Sequence, residues 1–172
     1  QLGLENGFVV NEISEQVLQE SVVSSTKIRA SIAAHDIETA NIFLGYPYFF
    51  DGLVVEGNKV GRTIGYPTAN LHIAPEEKLI PSDGVYAVRV TINDAKEVYM
   101  GMMNIGVRPT IDGKKRVVEV NIFDFDADIY GAQVKVELYY YLRGEVKFDG
   151  LEGLKAQLLQ DKNKATTLLK SH

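Results

Sequence analysis

The 172-residue chain contains no cysteine. Disulfides, zinc–thiolate centres and cysteine nucleophiles are therefore excluded. It has no tryptophan, and its three histidines, His35, His72 and His172, stand too far apart for a metal-ligand motif. No apolar run approaches the roughly 18 residues of a membrane-spanning helix, and no secretory leader is visible. Positive charge is the scarcer sign, with 18 Lys and Arg against 23 Asp and Glu and a formal net charge of −5. That balance argues against a broad nucleic-acid or anionic-membrane surface, although a local basic patch can still hold one phosphate. Internal repeats and low-complexity tracts are also lacking. The expectation is a cytoplasmic protein of one domain, or one domain plus a fragment of another. Because the chain starts at Gln1 without an initiator Met, it is read as part of a longer protein.

What is present centres on Gly57-Asn58-Lys59-Val60-Gly61-Arg62-Thr63-Ile64-Gly65-Tyr66-Pro67-Thr68-Ala69-Asn70-Leu71. Glycines recur at every fourth position, so ligands can come close to main-chain N–H groups. Arg62 adds a planar cation suited to phosphate. Pro67 pushes Tyr66 towards an extended conformation. If the chain continues extended, Thr68 and Asn70 point to one side, beside a phosphate-sized concavity. Neither the Walker A spacing nor the dinucleotide G-x-G-x-x-G spacing is met. The plain alternative is a glycine-rich hairpin with Thr and Asn as turn residues.

Taken in order, Gly7 to Val10 reads as a short strand and Ile13 to Leu18 as loosely helical. Ser24-Ser25-Thr26 opens a helix over Lys27 to Ala34, with Ile28 and Ile32 on one face. Asp36 caps a second helix, Ile37 to Leu44, ending at Gly45 and burying Ala40, Phe43 and Leu44. At Gly45-Tyr46-Pro47 the period turns from helical to alternating, which marks a domain boundary. Strands are predicted at Tyr48 to Val55, Gly84 to Ile92, Lys96 to Met103, Arg116 to Phe125 and Gln133 to Tyr141. Leu71 to Pro81 reads as a connection, Asn93-Asp94 as a turn, Asn104 to Asp112 as a loop and Asp112-Gly113 as a hairpin signal. Antiparallel strands at this spacing predict a small closed or nearly closed barrel. Asp149-Gly150-Leu151-Glu152 reads as a capping box for a last helix, with Leu151, Leu154, Leu158, Ala165 and Leu168 as its apolar face.

Glu119 is the carboxylate of interest, set in Val117-Val118-Glu119-Val120-Asn121-Ile122-Phe123. On a core-facing position it would be desolvated and a better proton acceptor near neutral pH. On the solvent side it would be ordinary. Asp124, Asp126 and Asp128 begin like a calcium loop, but Ile129 and Lys135 replace its required Gly and Glu, so a solvated turn is expected. Ser24 and Ser25 read as helix capping, and Tyr139-Tyr140-Tyr141 as barrel packing.

The glycine loop with its Pro-Thr-Ala-Asn tail, Asn104-Ile105-Gly106-Val107-Arg108-Pro109-Thr110 and Val118-Glu119-Val120-Asn121-Ile122-Phe123-Asp124-Phe125 closely resemble riboflavin kinases. So do Asp128-Ile129-Tyr130-Gly131 and Tyr141-Leu142-Arg143-Gly144-Glu145-Val146-Lys147-Phe148. The resemblance spans roughly residues 46–161, with several motifs in the family's order. Ser24-Ser25-Thr26-Lys27-Ile28-Arg29 is similar to the last motif of the FMN adenylyltransferase domain that precedes the kinase in bacterial bifunctional FAD synthetases. The paired-histidine nucleotide motif of that domain is not among these residues. Residues 1–45 are therefore expected to be the tail of such a domain, and 46–172 the kinase barrel.

The resemblance implies a mainly β fold, a six-stranded antiparallel Greek-key barrel with a C-terminal helix, preceded by a short helical segment. It implies phosphorylation of riboflavin by ATP with Mg²⁺, giving FMN. The upstream adenylyltransferase domain would be the partner in the full-length chain, where FAD synthesis would reside. Glu119 would be the general base. ATP would lie at Gly57, Gly61, Arg62, Thr68, Ile122, Asp124 and Tyr130, Mg²⁺ at Thr68 and Asn70, and flavin at Arg143, Val146, Lys147 and Phe148. Two positions depart from the family: Asn121 stands where many members carry His, and Glu56 where a basic or neutral residue is common. The rival from another class is a flavin- or nucleotide-binding barrel without catalysis.

Overall fold

The computed structural model describes residues 17–18, 21–57, 60–74, 78–110 and 113–171. The strand expected at Gly7 to Val10 lies outside the described residues, as do Asn58, Lys59, Pro75, Asp112 and His172. Of the helical stretch expected over Ile13 to Leu18, only the end is described. It is a strand, β1 (Val17–Leu18), paired antiparallel with β2 (Ser21–Val22).

Two capped helices follow. The Ser24 side chain accepts from Lys27 N at 3.3 Å ahead of α1 (Ser25–Ala33). Asp36 accepts from Thr39 N at 3.1 Å ahead of α2 (Ile37–Leu44). Each cap satisfies one orphan N–H of the first turn. Gly45 ends α2 at φ 78°, a conformation that glycine adopts without steric penalty. Ile32, Ile37 and Ala40 are buried, whereas Phe43 and Leu44, expected in the buried stripe, are only partly so.

Six strands then close into a barrel: β3 (Phe49–Val55), β4 (Ala69–His72), β5 (Gly84–Ile92), β6 (Val98–Thr110), β7 (Gly113–Ile122) and β8 (Gln133–Arg143). Their order around the barrel is β3-β4-β7-β6-β5-β8, with every neighbouring pair antiparallel. Three consecutive hairpin strands, β5 to β7, are flanked by β4 and β8, which is the expected Greek-key connection. Period-two alternation sends Val54, Leu71, Tyr86, Met103, Val118 and Val120 inward. Val85, Ala87, Met102, Tyr139 and Leu142 face outward, beneath Ala165 and Leu169 of the C-terminal helix α4 (Leu151–Lys170).

Several expectations are corrected. The connection expected over Leu71 to Pro81 begins with strand β4, whose four residues are too few to display alternation. The loop expected over Asn104 to Asp112 is the second half of β6, which runs on to Thr110. Gly106 and Pro109 suggest a loop, yet Gly106 pairs in register with Val117 and Pro109 with Lys114 at the hairpin's end, where a missing N–H is tolerated. The capping box at Asp149 does not form. Gly150 is the N-cap at φ 152° with no side-chain bond. The face of α4 is corrected as well: Leu151 is exposed, and the buried residues are Asp161, Ala165 and Leu169.

The leading helices are fastened to the barrel by polar ties. Asn41 Nδ2 donates to the Leu138 carbonyl at 2.8 Å, and Asn41 Oδ1 accepts from Tyr48 N at 2.7 Å. Ser82 Oγ donates to the Ala33 carbonyl at 2.7 Å. The Tyr86 hydroxyl donates to the Ser82 carbonyl at 2.5 Å, so its contact with His35 Nδ1 at 2.9 Å requires that nitrogen to be the donor. His35 also stacks on Tyr141, with ring centroids 4.2 Å apart.

Burial, then the neighbouring Tyr141, hold the Tyr86 phenol well above its ordinary value of 10.0. A raised folded value means that the neutral phenol contributes its full stability below pH 10 and loses it as the pH climbs beyond. Tyr86→Phe is expected to destabilise the protein by about 1–3 kcal/mol near pH 8. The variant is also expected to lose less stability than the parent on moving from about pH 8 to about pH 11, measured by urea unfolding. Equal losses in the two proteins would remove Tyr86 as the source of the alkaline sensitivity.

Candidate active site

The site is built on one row of residues running across the barrel's outer face. In register, Val55 pairs with Asn70, Asn70 with Glu119, Glu119 with Asn104, Asn104 with Val85, and Val85 with Arg143. Directly opposed residues on antiparallel strands share a face. The row therefore brings polar side chains from β4, β7, β6 and β8 into line. Glu119 lies between inward Val118 and Val120, so it faces outward and not into the core. It is nonetheless covered, with 26% of its side chain exposed. At the β5–β8 pairing the register skips Leu142 between Tyr141 and Arg143. This bulge lets Leu142 and Arg143 both address α4.

The glycine loop folds over this row. It contains a single helical turn, α3 (Val60–Thr63), and returns through a bond from Tyr66 N to the Gly61 carbonyl at 2.8 Å. A Cβ at Gly61 would overlap the Tyr66 carbonyl, and one at Gly57 would overlap the Asn70 side-chain amide. Gly61 thus requires glycine, since the backbone it meets cannot yield, whereas at Gly57 the Asn70 side chain would have to move. Asn121, 6% exposed, donates from Nδ2 to the Pro67 carbonyl at 2.6 Å and straps the Pro-Thr segment to β7.

Two cavities adjoin here. The first, of about 500 Å³, is lined by Arg62, Thr68, Ile122, Tyr130 and the segment from Asp126 to Ile129. The second, of about 390 Å³, lies between the barrel wall, the glycine loop and α4. Its polar lining includes Thr68, Asn104, Arg108, Glu119 and Glu145, and its apolar wall includes Met102, Val146, Phe148 and Leu158. Thr68 borders both cavities.

Of the expected site residues, Arg62, Thr68, Ile122 and Tyr130 gather at the first cavity. Gly61, Thr68, Glu119, Arg143, Val146 and Phe148 gather at the second. Gly57, Asn70, Asp124 and Lys147 line neither. Asn70 is nevertheless the cross-strand neighbour of Glu119. Asp124 is exposed and pairs with Lys162 at 3.2 Å.

Arg143 is held by Asp161. Its Nε contacts both carboxylate oxygens at 3.0 Å and its Nη2 contacts one at 2.7 Å. Gln157 Nε2 donates to the same carboxylate at 3.0 Å. The guanidinium thus anchors α4 to the bulge beside the cavity.

Arg108, Asn104, Glu145 and Asp161 were not expected as site residues. Arg108 Nη1 donates to Glu145 Oε1 at 2.7 Å, and its Nη2 lies 3.6 Å from Glu119 Oε2. Burial pulls the Arg108 guanidinium down, but the Glu145 bond and the charges of Glu145 and Glu119 outweigh it and leave the pKa above ordinary arginine. Arg108 and Glu145 both lie in the quoted motifs, but their meeting depends on β6 continuing past Met103, which composition disguised.

Of the two residues expected at a metal, Thr68 lies on the wall shared by the two cavities, and Asn70 lies outside both, with its amide against Gly57. No cluster of three or more His, Cys, Asp or Glu capable of holding an ion exists among the described residues. Neutral hard oxygens of this kind fit Mg²⁺ that arrives with phosphate oxygens, and fit a free ion poorly.

The closed barrel thus carries two adjoining cavities that share Thr68. The family model described as flavokinase, riboflavin kinase, matches residues 44–169, and the chain belongs to that family. It is 42% identical over 160 residues to the bifunctional riboflavin kinase/FMN adenylyltransferase of Bacillus subtilis, covering 91% of this chain and 49% of that protein. The enzyme of the same description from Haemophilus influenzae is 41% identical, with 96% of this chain and 53% of that protein covered. The chain thus spans about half the length of these curated relatives. Among solved structures, the riboflavin kinase from Trypanosoma brucei matches at TM-score 0.56 and 26% identity, covering 72% of this chain and 80% of that one. A structure described as the macrolide-efflux protein from Streptococcus pneumoniae matches at TM-score 0.81 and 39% identity, covering 95% of this chain and 53% of that one.

Asp161→Ala would leave Arg143 without its carboxylate and loosen α4 from the cavity wall. The expected loss is about 3 kcal/mol, the lower end for a broken buried pair because Arg143 keeps some water contact. Urea unfolding measures it, and an unchanged midpoint would show that the pair does not hold the helix.

Proposed function

We propose that this chain transfers the γ-phosphoryl group of ATP to the terminal ribityl hydroxyl of riboflavin, giving FMN and ADP. The observation that carries this reading is the shared wall. Thr68 borders both cavities, so ligands filling them would meet there, with Glu119 on the flavin side. Family membership supplies the substrate pair.

In this reaction Glu119 accepts the hydroxyl proton while the ribityl oxygen forms its bond to phosphorus. The bond from phosphorus to the β,γ-bridging oxygen breaks, and its electron pair leaves with ADP. Positioning and charge neutralisation dominate such transfers. Arg62 presents positive charge in the first cavity, while Ile122, Tyr130 and the Asp126 to Ile129 segment receive the base. Asp124, held outside by Lys162, shapes the turn. Thr68 and Asn70 would hold Mg²⁺ with the nucleotide, where it would neutralise phosphate charge. Gly57 keeps Asn70 close to the loop backbone. On the flavin side Val146, Phe148 and Met102 offer an apolar wall, Lys147 lies on the adjoining segment, and Arg143 acts by positioning α4.

The alignment with the Haemophilus relative covers 96% of the chain, whereas the flavokinase model starts at residue 44. That difference supports reading residues 1–45 as the tail of an adenylyltransferase domain and 46–172 as the kinase domain. FAD synthesis would belong to the longer protein, working in the cytoplasm. No helix of the described residues is long and apolar enough to cross a membrane.

Incubation with riboflavin, ATP and Mg²⁺, followed by chromatographic separation of FMN from FAD, tests the reading. FMN without FAD is expected. Bound riboflavin with no FMN would instead make this a flavin-binding barrel. Glu119→Gln is expected to lower kcat by about 10²–10⁴-fold while riboflavin still binds. A near-normal kcat would remove Glu119 from proton transfer. Thr68→Ala is expected to weaken Mg·ATP binding by about five- to tenfold, with a smaller effect on riboflavin, as isothermal calorimetry would show. Equal losses for both ligands would make Thr68 a structural residue.

A further inference from the structure

Two cations line the second cavity, Arg143 and Arg108. Arg143 is anchored through all three of its nitrogens to Asp161 and the Gly144 carbonyl. Arg108 is placed differently. Its closest bond is to Glu145, an exposed residue on the irregular segment between β8 and α4. Its other terminal nitrogen faces Glu119 at 3.6 Å, beyond ordinary hydrogen-bond length. The barrel wall makes room for this arrangement. Any side chain at position 106 would overlap the Glu145 carboxylate, and Gly106 has none.

A guanidinium shared unequally by two carboxylates leaves the trio with a formal charge of −1. A riboflavin molecule can enter such a cavity without electrostatic penalty. A flavin phosphate cannot, unless the arginine turns to it, because its doubly charged group would stand among like charges. In the proposed reaction the oxygen that accepts the phosphoryl group would lie within reach of Glu119, and therefore on the Arg108 side of the cavity. Glu145 can be released cheaply, since more than a third of its side chain already meets water.

We propose that Arg108 is a phosphate-binding residue of the flavin cavity, and that Glu145 is its internal placeholder. In the substrate-free and riboflavin-bound protein Arg108 rests on Glu145. Once the phosphoryl group arrives, the guanidinium leaves Glu145 for the new phosphate oxygens, in the two-pronged geometry that arginine favours. Return of Glu145 then competes with the phosphate and speeds departure of the product. This inference rests on the proposed riboflavin kinase reading.

The test is flavin binding, followed by fluorescence in the presence of ADP and Mg²⁺, with riboflavin and FMN titrated separately into the parent chain, Arg108→Gln and Glu145→Gln. For Arg108→Gln, FMN affinity is expected to fall about 10–100-fold and riboflavin affinity to stay within about twofold. For Glu145→Gln, FMN is expected to bind about three- to tenfold tighter, with riboflavin unchanged. A pair that merely pins the loop would move both flavins together, so parallel shifts, or none, overturn the proposal. Weaker FMN binding by Glu145→Gln would overturn the placeholder role. If the parent protein binds neither flavin, the kinase reading fails first, and this inference falls with it.

Discussion

Closure of the barrel governs everything placed on its surface. In a sheet with free edges a strand can slip by one residue, at the cost of turning its inward face outward. Six strands closed on themselves, with Val54, Val118, Val120 and Tyr86 packed inside, permit no such slip. The register that fills the interior also sets Asn70, Glu119, Asn104 and Arg143 in one row outside. The site is thus a by-product of core packing, held as firmly as the core itself. Helix α4 covers one flank of the row with apolar contacts and leaves the other flank as a cavity.

Much of this frame was legible in the chain. Ser24, Asp36 and Gly45 announce their helix ends through local chemistry that needs no tertiary partner. The alternation of residues 84–92 and 133–141 marks strands long enough to show a period. Strand β4 has too few residues for that. The second half of β6 was hidden because Gly106 and Pro109 normally signal a loop. The Glu145 carboxylate, arriving from nearly forty positions downstream, occupies the space that a side chain at position 106 would fill. Asp161 was equally hidden: an acid on an apolar helix stripe acquires meaning only when Arg143 is found opposite it.

The site residues divide along the same line. Those within contiguous motifs, such as Thr68, Glu119 and Phe148, could be nominated from local sequence and resemblance. Their grouping into two cavities could not, since it depends on how the glycine loop folds back across β7. The role of Arg143 shows the difference clearly. Its motif suggested a ligand contact, and in the structure the guanidinium both lines the second cavity and bonds Asp161 of α4, a tie the motif alone did not announce.

The strap from Asn121 to Pro67 has a further consequence. A carboxamide neither gains nor loses a proton at any pH at which proteins survive. An imidazole in that position would titrate near neutrality and change its donor set as it did so. With asparagine there, the tether between barrel wall and loop keeps a constant strength through acid and alkaline shifts. Any response of this protein to acidity must therefore arise elsewhere than in the bond that ties this loop to β7.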